Sequence, residues 1–305
     1  MNIVVKKLLE VVSGIKDRPK GAYNIRVDGK SIGHSNSDNI EITFKEGGKG
    51  IEIRVKPNTK NESVHIPAII ERDDYAEVVY NDFYIGENCD ITIIAGCGIH
   101  NDGHQLAQHD GIHTFNVGAN SSVRYVEKHY GDGNGSGERI INPDTIVFLD
   151  NGGKLEMDTV QIEGVDSTKK HTTGTLGDNS NFIVKEKLMT SGHQFAYTGY
   201  KIDLNGYDSG AHLISRSVAK DYSTQEFIAN INGNNKCMGH SECDGIIMEN
   251  ARIKAVPEIN ANHVDASLIH EAAIGKIAGE QITKLMTLGL TSEQAEAEII
   301  NGFLK

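Results

Sequence analysis

One phrase recurs along the chain: an aliphatic residue, a short turn rich in Gly, Asn and Asp, then alternating apolar positions. It reads IGENCDITII from Ile85, VGANSSVRYV from Val117, LDNGGKLEMD from Leu149 and LGDNSNFIVK from Leu176, then LNGYDSGAHL from Leu204, INGNNKCMGH from Ile231 and INANHVDASL from Ile259. Successive starts lie 32, 32, 27, 28, 27 and 28 residues apart. Gly and Asn accept the positive φ of tight turns, and the residues after them alternate with the period of two expected of half-buried strands. A unit this short cannot bury its own apolar face, so neighbours must stack. The stretches between turns hold few helical periods, which argues against βαβ units and for an all-β core built as a β-solenoid, each strand pairing in parallel with the coil above and below. The 33 glycines and only 5 prolines fit that reading. A sandwich with the same strand count is the alternative that the pattern leaves open.

Both ends depart from the repeat. Residues 1–15 carry apolar side chains at 4, 5, 8, 9 and 12, which predicts a short amphipathic helix suited to capping an end of the coil stack. After His270 the composition shifts to helix formers. GEQITKLMTLG stops at Gly289, and TSEQAEAEIINGFL opens on a Thr291-x-x-Gln294 capping box. Apolar residues of this helical end, among them Ile282, Leu285, Leu288, Ala295 and Ile299, either cap the stack or form a docking face. The chain therefore divides into an N-terminal helix and lead-in (1–38), a coiled β core (39–272) and a C-terminal helical segment (273–305).

Charge and composition narrow the function classes. Thirty basic against 42 acidic residues give a formal charge of −12, which opposes a phosphate backbone, and no run of Lys/Arg exceeds two, so nucleic acid is not an expected partner. The longest apolar runs, such as ITIIAGC at 91–97, fall far short of the roughly 20 residues that span a bilayer. Four cysteines, with no apolar leader behind MNIVVKKLLE, point to a reducing compartment; the expected location is cytoplasmic and no membrane association is expected.

Several constellations can carry chemistry. In CMGHSECDG, Cys237, His240 and Cys243 form a C-x2-H-x2-C pattern that a loop could fold around zinc. In an extended strand, however, Cys237 and Cys243 share a face and His240 points the other way, leaving two cysteines as small buried hydrophobes. Cys97 in AGCGIH precedes a histidine-dense run holding His100, His104, His109 and His113, spaced by 4, 5 and 4, which matches no particular metal motif. His270 and Glu271 offer borderline and hard ligands at the junction with the helical end, although neighbours in a strand face opposite ways. The run GDGNGSGE (131–138) lacks the Gly-Lys-Ser/Thr ending of a phosphate loop and reads as a mobile surface loop. No Gly-x-Ser-x-Gly elbow is present.

Four stretches together resemble the SufB/SufD family, scaffold components of the SUF iron–sulfur cluster assembly machinery: AYNIRVDGKSI; AGCGIH with GIHTFNVGANSSVRYVEKHYGDG; SECDGIIM; and IHEAAIGKIAGEQITKLMTLGLTSEQAEAEIINGF. The resemblance implies a right-handed parallel β-helix with short helical segments at both ends, dimerisation through the β-helix, and binding of an ABC-type ATPase, SufC, through the C-terminal helices. ATP would then be hydrolysed by that partner and not by this chain. It further implies a transient iron–sulfur cluster, a protein that donates sulfur and apo-proteins that receive the cluster. By position, Cys243 matches the family cysteine tied to cluster assembly, His270 and Glu271 its His-Glu pair, and Cys97 a cysteine thought to accept persulfide sulfur, with His109 on a family histidine downstream. Thiolates are good ligands for iron and pass sulfur by exchange. Larger SufB chains carry a further cysteine soon after the first; here the sequence reads ENARIKAV. Keeping Cys243 and His270-Glu271 on one chain suits a homodimer whose subunits share the site. Two other readings are a solenoid enzyme acting on acidic polysaccharide, which dispersed Lys/Arg and the absence of Trp disfavour, and a purely structural partner of an ATPase.

Overall fold

A computed structural model describes residues 1–305, apart from the side chain of residue 163. After helix α1 (Ile3–Ser13) come strands β1 (Ala22–Val27), β2 (Lys30–Ser35), β3 (Ile40–Phe44), β4 (Gly50–Val55), β5 (Lys60–Ile70), β6 (Tyr75–Ile85) and β7 (Asp90–His100). The middle holds β8 (Ala107–Val117), β9 (Ser122–Asp132), β10 (Arg139–Leu149), β11 (Lys154–Glu163), β12 (Ser167–Leu176) and β13 (Asn181–Thr190). Then follow β14 (Phe195–Leu204), β15 (Ser209–Ala219), β16 (Thr224–Gly233), β17 (Cys237–Ile247), β18 (Arg252–Ala261) and β19 (Ala266–Gly275), with helices α2 (Gly279–Thr287) and α3 (Ser292–Phe303) at the end. From β4 onward successive strands alternate between two sheets, and from β6 onward each pairs in parallel with the strand two before it. The molecule is thus a flattened β-solenoid of two facing sheets, not a sandwich of antiparallel strands. Antiparallel pairs β1–β2 and β3–β4 finish the first end.

The recurring phrase is the turn from the second sheet to the first. Ile85, Val117, Leu149, Leu176 and Leu204 lie side by side in register, as do Ile231 and Ile259. The match fails once: Leu204 pairs with Gly233, and Ile231 pairs with Ile202, so the sequence alignment slips by two residues there. A slip of two preserves the inward face, which is why alternation alone could not detect it.

The change from 32-residue to shorter coils has a local cause. The connections at the opposite edge run over 101–106 and 133–138 in the long coils, but only over 164–166 in the next. The Gly-rich stretch read as a mobile loop is instead a stacked rung: Gly135 N–H donates to the Asn101 carbonyl at 3.0 Å, and Gly137 N–H to that of Gly103 at 3.1 Å. A Cβ on Gly137 would sit 1.9 Å from the Gln105 carbonyl oxygen, so backbone packs directly on backbone.

Alternation sends apolar side chains into one continuous core between the sheets, centred on residues such as Phe83, Phe115, Phe182, Leu213 and Ile231. The helices do not enter it. Helix α1, expected to cap an end, lies across the outer face of the first sheet, where Val5, Leu8, Leu9 and Val12 bury against Tyr23, Ile25 and Ile69. It reaches that face because Gly96 and Gly98 point outward there; a Cβ on Gly96 would meet the Val12 carbonyl oxygen at 2.5 Å. The capping box of α3 forms as the sequence predicts, and α3 packs Ile300 and Leu304 on Val218 of the same outer face. Helix α2 buries no side chain, and Leu288 just beyond it is 76 % exposed. Among the described residues no helix is long and apolar enough to cross a membrane.

Candidate functional site

Polar groups collect inside the solenoid around Cys97. Strand alternation turns Cys97 inward, and the 32-residue coil sets His129 beside it on the next strand of the same sheet. In the same way Glu77 neighbours His109 on the facing sheet. Arg26 lies 2.9 Å from one Glu77 carboxylate oxygen, and the other accepts from His109 Nδ1 at 2.9 Å. His109 and His129 both act electrostatically on the Cys97 thiol. Burial opposes a thiolate here, yet the two imidazoliums overcome it and hold Cys97 at about 7, below its ordinary 9.0. Burial likewise opposes charge on His109, but Cys97 and Glu77 raise it to about 10. The surroundings favour a buried thiolate–imidazolium pair, backed by the Glu77 carboxylate and the Arg26 guanidinium.

A second chain of bonds fixes the neighbouring histidine in the opposite state. Asn81 Nδ2 donates to His113 Nε2 at 3.3 Å, His113 Nδ1 donates to the Tyr125 hydroxyl at 2.8 Å, and that hydroxyl donates to Glu127 at 2.8 Å. The network assigns neutral imidazole to His113. Burial first, then the charges of His109 and His129, push it down to about 4 despite the pull of Glu127. Farther along the interior, Lys170 Nζ bonds Thr159 Oγ1 at 2.9 Å and Glu186 at 3.1 Å, and Glu186 also accepts from Thr198 at 3.1 Å and Ser215 at 3.0 Å. Burial disfavours the Lys170 charge, but Tyr200, Glu186 and Glu127 raise it well above the usual lysine range. A cavity of about 20 Å³, room for one water molecule, lies between His129 and Lys170.

This polar line ends near Cys243. Ser215 and Cys243 are register partners on adjacent strands, and Glu186 with Asp244 adds to burial in pushing the Cys243 thiol up to about 12. Cys243 is 1 % exposed, one strand from the end of its sheet. On that last strand His270 pairs with Ser241, and Ala272 with Cys243, so Cys243 and His270 are diagonal neighbours on the inner face. Neither Ser241 Oγ nor His270 Nδ1 has a hydrogen-bond partner, and burial lowers His270, keeping it neutral. A protonated thiol beside a neutral imidazole with a free nitrogen is a donor set that soft or borderline iron can use once the thiol proton leaves.

The other expected residues fall elsewhere. Glu271 points to the outer face, 3.4 Å from His240 Nε2, so the strand separates it from Cys243 and His270. His240 stands opposite Cys237 and Cys243 as the extended reading requires, which removes the zinc knuckle. Cys237 is a buried inner-face neighbour, and the Cys89 thiol donates to the Lys56 carbonyl in a turn. His104, on a connection, bonds Ser136, and His100, at the end of β7, bonds Asp102. Among the described residues no three His, Cys, Asp or Glu side chains converge closely enough to hold a metal as they stand. Sequence reasoning missed Glu77, Glu127, His129, Lys170 and Glu186. For two of them the signal was present: one coil length from Cys97 lands on His129, and one coil length before His109 lands on Glu77.

Comparison with known proteins gives this geometry a context. The family described as "SUF system FeS cluster assembly, SufBD core domain" matches residues 73–303. Among curated relatives, an iron-sulfur cluster assembly SufBD family protein of Methanothermobacter thermautotrophicus is 27 % identical over 259 residues, covering 84 % of this chain and 62 % of its own length. One from Archaeoglobus fulgidus is 27 % identical over 85 % of this chain and 69 % of its own, and one from Methanocaldococcus jannaschii is 24 % identical over 99 % and 98 %. The chain spans less than two thirds of the two Methanothermobacter relatives it matches.

Proposed function

Because the chain belongs to the SufB/SufD family of iron–sulfur cluster assembly proteins, we propose that it is a scaffold on which a labile cluster is built from iron and sulfide, which are its substrates. The observation that carries this reading is the placement of Cys243 and His270 as diagonal neighbours on one inner face beside the open end of the solenoid. Cys97 is the proposed entry point for sulfur. Its thiolate, held by His109 and His129, attacks the outer sulfur of a donor protein's persulfide; the new S–S bond forms on Cys97 as the donor's thiolate leaves. Glu77 and Arg26 serve this step by positioning His109.

The last strands, β18 and β19, each pair on one side only, and Ile259, Ile269 and Ile274 stand exposed on them. Unpaired edges of this kind invite pairing with another chain. That supports a homodimer that closes the end and shields the cluster. The apolar residues that α2 leaves uncovered, Met286 and Leu288, support docking of an ABC-type ATPase of the SufC kind, with ATP hydrolysis in that partner. The chain itself is then not an enzyme, and a cytoplasmic setting suits its reduced thiols.

Anaerobic incubation with ferrous iron and sulfide tests the proposal. Wild-type protein should gain cluster absorbance and Cys243→Ser little; equal cluster content in both would remove Cys243 from the site.

A further inference from the structure

Four inner-face side chains form a rectangle where the solenoid ends. Ser241 and Cys243 stand two residues apart on β17, and their register partners on β19 are His270 and Ala272. Cys243 and His270 occupy one diagonal. Ser241 borders both, sharing a strand with the thiol and a rung with the imidazole. The fourth corner is only a methyl group, and Ala272 is exposed, so the space beside Cys243 opens toward the end of the stack. Ser241 is 1 % exposed, yet its hydroxyl has no hydrogen-bond partner. Leu213, its register partner on the other side, offers nothing polar. The hydroxyl beside Cys243 on that same strand, Ser215, already donates to Glu186 at 3.0 Å. His270 Nδ1 is unpaired as well, and it does not bond Ser241 although the two side chains are neighbours. A buried hydroxyl left unpaired costs free energy that alanine at the same position would avoid.

We propose that the Ser241 hydroxyl donates a hydrogen bond to sulfur of the cluster held at Cys243, and that it thereby sets how readily the cluster is reduced. The inference rests on the scaffold reading above and adds to it a residue that binds no iron. A serine hydroxyl is neutral and carries one donor proton, so beside a thiolate and an imidazole it serves better as a donor than as a ligand. Hydrogen bonds to cluster sulfurs draw off negative charge, and they are one of the levers that set the reduction potential. Donation to sulfur also works against the burial that opposes charge on Cys243.

Full-length wild type, Ser241→Ala and Ser241→Thr, each reconstituted anaerobically with ferrous iron and sulfide, test the assignment. Cluster content should be equal in all of them, because no ligand is removed. Ser241→Ala should be reduced at a more negative potential in a mediated titration. It should also lose an exchangeable-proton hyperfine coupling that wild type shows by electron–nuclear double resonance and that D2O removes. Ser241→Thr keeps the hydroxyl and should retain both properties. Before reconstitution, Ser241→Ala should melt no lower than wild type, since the hydroxyl is unpaired there; a lower melting temperature would give it a structural bond instead and overturn the inference. Unchanged potential and proton coupling in Ser241→Ala would overturn the inference and leave the scaffold reading standing. Loss of the cluster in Ser241→Ala would overturn it too, because the hydroxyl would then be a ligand and not a donor. A wild type that takes up no cluster overturns the scaffold reading and this inference with it.

Discussion

Cys97 shows how a thiol buried in a protein core stays ionisable. Its neighbours His109 and His129 lower it against the burial that raises it, and Glu77 with Arg26 keeps His109 in place. Replacing His109 by Asn should move the thiolate titration, followed by ultraviolet absorbance, from about 7 toward or above the ordinary 9.0; an unchanged midpoint would show that His109 does not set it. Glu77 gives a matching prediction in acid. Burial resists its charge, but His109 and Arg26 together hold its carboxyl below the ordinary 4.5. A depressed folded value means the stabilisation is full above about 4.5 and fades as pH falls through the folded value. Glu77→Gln should therefore melt lower than wild type at neutral pH and lose less on acidification. A parallel acid profile in the two proteins would contradict this. Part of the candidate site was legible in the sequence: the family resemblance singles out Cys97, His109, Cys243 and His270, and alternation places all four on inner faces. Their partners were not, because no local pattern marks Glu77 or His129; they become visible only when one coil length is added or subtracted. Lys170 and Glu186 escape even that, since they meet across the two sheets.

Among the elements, the coils were readable because turn chemistry and alternation repeat, whereas the helices were readable only as helices. Where α1 packs depends on Gly96 and Gly98 leaving a smooth outer face, and nothing within residues 1–15 encodes that. The Gly-rich rung at 131–138 was misread for a related reason: glycine marks close backbone approach as often as it marks mobility. Gly137→Ala, which would force a Cβ against Gln105, should cost about 1–3 kcal/mol by overpacking. Gly275→Ala, on the exposed last strand with nothing within 4 Å, should stay within about 0.5 kcal/mol of wild type. Equal melting of the two variants would refute the stacked-rung account. Inside the coils, Lys170→Met leaves the buried Glu186 charge without its cation and should cost about 3–5 kcal/mol in denaturant unfolding. A loss below about 1 kcal/mol would mean that water reaches the pair.

At the scale of the molecule, the solenoid is finished at one end by antiparallel strands and left open at the other, next to Cys243 and His270. A second copy pairing there would double the mass seen by light scattering, and Ile259→Lys on the open edge should return the monomer. A mass that Ile259→Lys leaves unchanged would place the contact elsewhere. The proposed scaffold role would use that asymmetry: a cluster must be shielded while it is built and released afterwards, and an edge closed by a partner permits both. The account rests on iron being held by the Cys243–His270 pair. Pulsed electron paramagnetic resonance on the reduced, reconstituted protein addresses this directly. The account predicts a hyperfine coupling from a histidine nitrogen that 15N-histidine labelling shifts and His270→Ala removes. A cluster signal with no nitrogen coupling, or with one that survives in His270→Ala, would contradict it.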